Sequence, residues 1–489
     1  MRQGWFLWRI LGLAAMSLAV CGCPGTSPPA ANPESVPGPA VPLRLVVVDD
    51  PGLAEAVQRQ WQARAEGELQ VRQARTEEIC DPRRKRLAAD AVIYPSGLIG
   101  ELAERGWLMP LSDDALRSSE FARRDIFDHL RQHEMMWGEE TYAVPLGSPP
   151  LTLVYRPDLF EKLGVQPPET WQQYTALCER LVKSRDVLRE SSQSADAWHA
   201  VSEPLGPGWA SQILLARAAA YARHRSYFAS LFDLDSMQPL IASPPFVRAL
   251  EELVSAAKFG SPKAGEHSPA DVWKLLRSGQ CVMGLTWPSN ADRRMAAQAT
   301  DSTNPVLLAA AELPGSAEVY NLGDAVWQPR ESSEDRHVTL LGAAGRLGSV
   351  VKGTNRSSTA MSLLVRLSST AWSRDISPRS PATTLYRTSQ LPAVKAWVGD
   401  SFSADAATAY GELVQQGYRR QLSLDSVRLP GRNRYLAALD EAVQAAVRGD
   451  RPPADCLAAA ADGWRKVTQE LGIDNQRRAY WRSLGKSPP

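Results

Sequence analysis

The chain has 489 residues, and its 55 Lys and Arg against 54 Asp and Glu leave a formal net charge of +1, too little to draw a polyanion such as nucleic acid. The densest basic run, Arg83 to Arg86, follows Asp81-Pro82 without interleaved aromatics and reads as a solvated loop or helix start. The six cysteines show no zinc-ligand spacing, so neither a metal site nor a cofactor is expected.

Arg2 and Arg9 border an apolar run from Ile10 to Val20 that is too short to span a bilayer and suits the core of an export signal. Leu18-Ala-Val-Cys-Gly-Cys23 is similar to the lipobox of bacterial lipoproteins, and Gly22 favours Cys23 as the acylated residue, making residues 1–23 the signal peptide. A plain signal peptide cut nearby is the simpler alternative. Residues 24–42 are rich in Pro, Ala, Ser and Gly and cannot bury enough surface to offset chain ordering, so they read as a disordered tether.

From Leu43 the pattern becomes β-α-β-(α)-β: strands at Leu43–Val48, Leu69–Ala74 and Ala89–Tyr94, with a helix from Pro51 carrying Leu53, Val57 and Trp61 on one face. Such an opening implies a mainly parallel sheet whose ligand side lies at the carboxyl ends of its strands. Between Thr141 and Trp171 two strands meet at Gly147-Ser148-Pro-Pro150, a short helix ends at Gly164, and Thr170 with Gln173 forms a capping box for the next helix. Pro244–Ala257 and Pro269–Ser278 are further helices, and two more close the chain at Arg434–Ala446 and Pro453–Leu471. Of the four cysteines beyond the signal, Cys178 and Cys281 sit in apolar contexts that favour buried free thiols over a disulfide.

Tyr142-Ala-Val-Pro145, Gly147-Ser148, Tyr155, Asp158-Leu-Phe160 and Pro168-Glu-Thr-Trp171 follow one another in an order that resembles the family 1 extracellular solute-binding proteins. Asp90 to Leu111 resembles that family's strand, turn and helix ending in Gly-X-Leu-X-Pro-Leu. Gly279, Val282, Met283, Leu285 and Trp287 match a second family strand, and the likeness covers most of residues 43–471. It implies a two-lobed α/β periplasmic-binding fold, each lobe a mainly parallel sheet flanked by helices, with a ligand cleft between them. The expected first lobe is residues 43–145 and 314–381, and the second is 146–313 and 382–489. In that scheme Asn321–Val326 is the strand re-entering the first lobe, Arg336–Lys352 is an extra hairpin or loop, and the Ser/Thr-rich stretch 377–390 is a long return crossing.

The resemblance also implies a monomeric subunit of an ABC importer, lipid-anchored outside a bacterial membrane, which passes a small solute to permease subunits. Carbohydrate is the expected ligand, because sugars present C–H faces that suit aromatic platforms, and this chain has 15 Trp to 9 Phe. By position the binding candidates are Tyr94, Pro95 and Ser96 after the third strand, Gly147 and Ser148 at the turn, and Trp209, Trp287, Gly323 and Asp324. Packing beneath the cleft is the plainer role for Tyr94 and both tryptophans, and a structural cap or ion pair for Asp324. A ligand-sensing lipoprotein of the same fold, or a binder of a polyol, glycerol phosphate, polyamine or iron, remains the alternative. No His-Glu-X-X-His or Gly-X-Ser-X-Gly motif is present, which argues against an enzyme.

Overall fold

Leu43–Val48 (β1) runs LRLVVV with five of six residues buried, the near-continuous apolar run of a strand covered on both faces. A computed structural model describes residues 42–64, 67–189, 198–291 and 306–488. The expected export signal, Cys23 and the expected tether lie outside the described residues. Asp50 caps the helix Pro51–Ala63 (α1) by accepting the amide of Leu53 at 3.0 Å, and Pro51 presets its first turn. This helix buries Leu53, Val57 and Trp61 against β1 and its neighbours. Leu69–Ala74 (β2) and Ala91–Pro95 (β3) flank β1 in parallel, followed by the helix Ile99–Glu104 (α2) and the strands Leu108–Met109 (β4) and Val144–Gly147 (β5).

The chain then enters a second lobe. Thr152–Tyr155 (β6) leads into the helix Pro157–Leu163 (α3), which stops at Gly164 in the left-handed region. Trp171–Lys183 (α4) starts with the reciprocal capping box of Thr170 and Gln173. After His199–Ser202 (β7) come the helices Ala210–Ala222 (α5), Pro244–Ala257 (α6) and Pro269–Arg277 (α7). Cys281–Thr286 (β8) is buried at all six positions, and with Ala309–Ala311 (β9) it completes a sheet in the order β9-β6-β8-β7. In this sheet β8 runs parallel to β7 and antiparallel to β6.

The way back to the first lobe differs from the expectation. Glu318–Asn321 (β10) and Val326–Pro329 (β11) form a hairpin whose turn is Asn321–Val326, held by the Asn321 side chain accepting the amides of Gly323 at 3.0 Å and Asp324 at 3.2 Å. That Asx geometry closes a turn and leaves residues 322–326 exposed, so it cannot supply a central strand. Within the expected extra hairpin, Thr339–Leu341 (β12) precedes Arg346–Val351 (β13), which is buried throughout and is the true re-entering strand. It pairs antiparallel with β3, β4 and β5, giving the order β2-β1-β3-β13-β4. The sheet is therefore parallel where the chain opens and antiparallel where it returns.

Ser357–Ser368 (α8) and Thr370–Ile376 (α9) cover this sheet, after which Ala404–Gly417 (α10) and Ser423–Asp425 (β14, parallel to β12) lead into the closing helices Arg432–Arg448 (α11), Pro453–Leu471 (α12) and Ile473–Ser483 (α13). Arg387, in the return crossing, is fully buried. It clamps the carbonyls of Ser368 and Phe121, each at 2.9 Å, which makes it a structural tie. Cys80, Cys178, Cys281 and Cys456 are free, the last three buried.

Candidate ligand cleft at the lobe crossings

The first crossing begins at Gly147, whose φ of +120° and surroundings both demand glycine: a Cβ there would lie 2.4 Å from the Thr384 carbonyl oxygen. Ser148 follows, buried, its hydroxyl donating to the Glu134 carboxylate and its carbonyl accepting the Tyr418 hydroxyl. The other Glu134 oxygen accepts the amide of Gly342 at 3.2 Å, at the start of the second crossing. One carboxylate thus joins two of the segments that connect the sheets. Burial pushes its carboxyl up to about 7, against the opposing effect of the Ser148 and Gly342 donors and the Arg428 charge.

At the carboxyl end of β1, Asp50 also accepts Nε of Arg346 at 2.9 Å and the hydroxyl of Ser380, so the first strand, the re-entering strand and the third crossing share one buried carboxylate. Ser96, just past β3, donates to the Ala344 carbonyl at 2.9 Å, while Pro95 is half-buried. Tyr94 is fully buried with its hydroxyl 2.8 Å from Ser349 Oγ, and burial raises its phenol above the ordinary range. It packs beneath the sheet's end and presents no surface to a ligand in this arrangement.

Trp287 directly follows β8 and Trp209 opens α5, and their rings meet with centroids 5.5 Å apart at 55°. Trp287 is 4 % exposed and donates from Nε1 to the Pro381 carbonyl at 2.8 Å, reaching the third crossing. Trp209 is only partly buried and offers what aromatic surface the pair exposes. Its helix entrance is held by Asp440, which accepts the amides of Gly208 and Ser211, both at 2.7 Å. Gly323 and Asp324 lie elsewhere, on the exposed hairpin turn, where their contacts are to Asn321 and Tyr227.

The structure therefore gathers Ser96, Gly147 and Ser148 at the crossings and brings the two tryptophans together. Asp50, Glu134, Arg346, Ser380, Tyr418 and Asp440 were not singled out from sequence. Only Asp50 had a local signal, an acidic residue between a strand and Pro51. Among the described residues no cluster of His, Cys, Asp or Glu is fit to hold a metal ion, and no helix is long and apolar enough to cross a membrane.

Residues 85–323 match the family of bacterial extracellular solute-binding proteins. A mannitol-binding protein of Pseudomonas aeruginosa is 26 % identical over 194 residues, so the match covers 39 % of this chain and only about two fifths of that relative's length. An ABC-transporter solute-binding protein of Agrobacterium radiobacter K84, solved with ribitol, aligns at a TM-score of 0.63 and 17 % identity over 88 % of this chain and 99 % of its own. Another from Agrobacterium vitis S4, solved with D-mannitol, gives a TM-score of 0.62 and 14 % identity over the same 88 % and 99 %. Over residues 85–323 the chain is thus similar to the bacterial extracellular solute-binding proteins, and its two-lobed α/β fold is that of the ABC-transporter solute-binding proteins with which it aligns.

Proposed function

We propose that the chain is the extracytoplasmic capture subunit of an ABC importer, closing its lobes over a sugar or polyol and handing it unchanged to a membrane permease. The observation that carries this reading is the Trp209–Trp287 pair, an aromatic platform set against a lobe crossing. An aromatic face that removes about 100 Å² of apolar sugar surface from water contributes about 2–3 kcal/mol before the entropy of binding is subtracted. Ser96, Gly147 and Ser148 place backbone and hydroxyl groups at the same crossings, and the relatives solved with ribitol and D-mannitol support a polyhydroxylated ligand. Pro95 lines the same sheet end, whereas Gly323 and Asp324 would join only through a motion of their hairpin. In this reading residues 1–23 direct export, Cys23 is acylated, and residues 24–42 tether a monomer to the membrane surface.

Tryptophan fluorescence titrated with mannitol, ribitol and maltose tests the proposal. Saturable quenching or enhancement by at least one of them is expected, with affinity reduced tenfold or more in Trp209→Ala. Equal affinity in wild type and variant would return the pair to a packing role.

A further inference from the structure

A second cavity, of about 600 Å³, lies between the lobes, walled on one side by Cys80, Leu98 and Glu101 and on the other by Arg432, Asn475 and Gln476. Neither tryptophan of the platform lines it. Its volume is in the range of small-molecule sites, and its walls come from elements far apart in sequence.

The charges around it do not balance. Four arginines line the cavity, at 105, 432, 434 and 478, against two glutamates, Glu101 and Glu104. Both glutamates are already engaged: Glu101 accepts Arg105 at 2.6 Å and the amide of Gly431 at 2.7 Å, and Glu104 accepts Arg482 at 2.7 Å and Trp137 Nε1 at 2.6 Å. Arg434 pairs with Glu470, and Arg478 donates to Asn475 at 2.6 Å. Arg432 is the exception. Its guanidinium has no hydrogen bond or ion pair among the described residues, and its Nε is buried without an acceptor. It packs so closely over the turn after β3 that a Cβ on Gly97 would lie 2.4 Å from Nε. Burial pushes this guanidinium down to about 10. On the same wall as Arg432, Gln476, only 1 % exposed, donates its amide to the Pro430 carbonyl at 3.3 Å and leaves Oε1 buried with no donor.

An unpaired cation and an unfilled acceptor in one cavity call for a ligand that carries both an oxyanion and a hydroxyl. We propose that this cavity binds a small hydroxylated oxyanion, its charged group on Arg432 and a hydroxyl donated to Gln476. Both protein atoms are covered in the present lobe arrangement, so the ligand enters as the lobes part. The inference stands apart from the tryptophan platform and does not require a neutral sugar to bind there.

Thermal denaturation of the full chain is followed with D-gluconate, inorganic phosphate and sodium chloride at equal ionic strength. Gluconate is expected to raise the melting temperature by a few degrees over chloride. Arg432→Gln should weaken gluconate at least tenfold, and Trp209→Ala should leave it unchanged. A response to phosphate that is lost in Arg432→Gln, without one to gluconate, keeps the site and assigns it to a phosphate group. Gln476→Leu keeps the cation and removes only the acceptor, so it should weaken gluconate and spare phosphate. The proposal is overturned if neither anion exceeds chloride, if Arg432→Gln binds as tightly as wild type, or if Trp209→Ala abolishes the gluconate response.

Discussion

Glu134→Gln isolates the carboxylate that joins the first two crossings. Burial raises this carboxyl from the ordinary 4.5 to about 7, and a tenfold change in proton affinity is worth about 1.4 kcal/mol, so ionising it in place costs about 3 kcal/mol relative to the unfolded chain. The folded state holds the proton more tightly than the unfolded state. Its contribution is therefore complete below about pH 4.5 and is lost as pH rises through about 7. Glutamine fits the same contacts, its carbonyl oxygen accepting the Gly342 amide and its NH₂ donating to a rotated Ser148 hydroxyl. The variant should match wild type within about 1 kcal/mol at pH 5 and exceed it by up to about 3 kcal/mol at pH 8. Urea denaturation of both proteins at the two pH values measures this. A difference that is the same at pH 5 and pH 8 would show that Glu134 does not titrate in the folded chain and would refute the reasoning.

Gly147→Ala forces a side chain into a φ of +120° and to 2.4 Å from Thr384 O; it should cost about 2–4 kcal/mol in chemical denaturation. Arg346→Met leaves Asp50 buried with its cationic partner gone, and should cost about 3–5 kcal/mol in urea denaturation at neutral pH. Cys281 is fully buried, its thiol donates to the Met283 carbonyl at 2.9 Å, and burial pushes it up to about 12. A thiol reagent at pH 8 should modify it only in denaturant, as mass spectrometry of the labelled peptide would show.

The elements that sequence reading placed well are those whose cause is local. The capping box at Thr170, the stop at Gly164 and the apolar stripe of α1 depend on residues a few positions apart, and all three stand in the structure. For the returning strand, two segments compete for one role in the sequence. Asn321–Val326 contains glycine and short apolar residues, but the Asn321 side chain bonds its own following amides, a turn signal that outweighs them. Arg346–Val351 hides as a strand because its preceding glycines resemble a loop, although they are the crossing itself. The site divides in the same way. Trp209 and Trp287 each stand beside punctuation visible in the chain, whereas Glu134 with Gly342 and Asp50 with Arg346 are bonds between distant segments, 208 and 296 residues apart.

Isothermal titration of the full chain against neutral polyols and saccharides tests the capture function most directly. The account predicts saturable 1:1 binding of at least one compound, weakened tenfold or more in Trp209→Ala, with the ligand recovered chemically unchanged. No heat from any member of a panel containing mannitol, ribitol and maltose, or conversion of the bound compound, would contradict it.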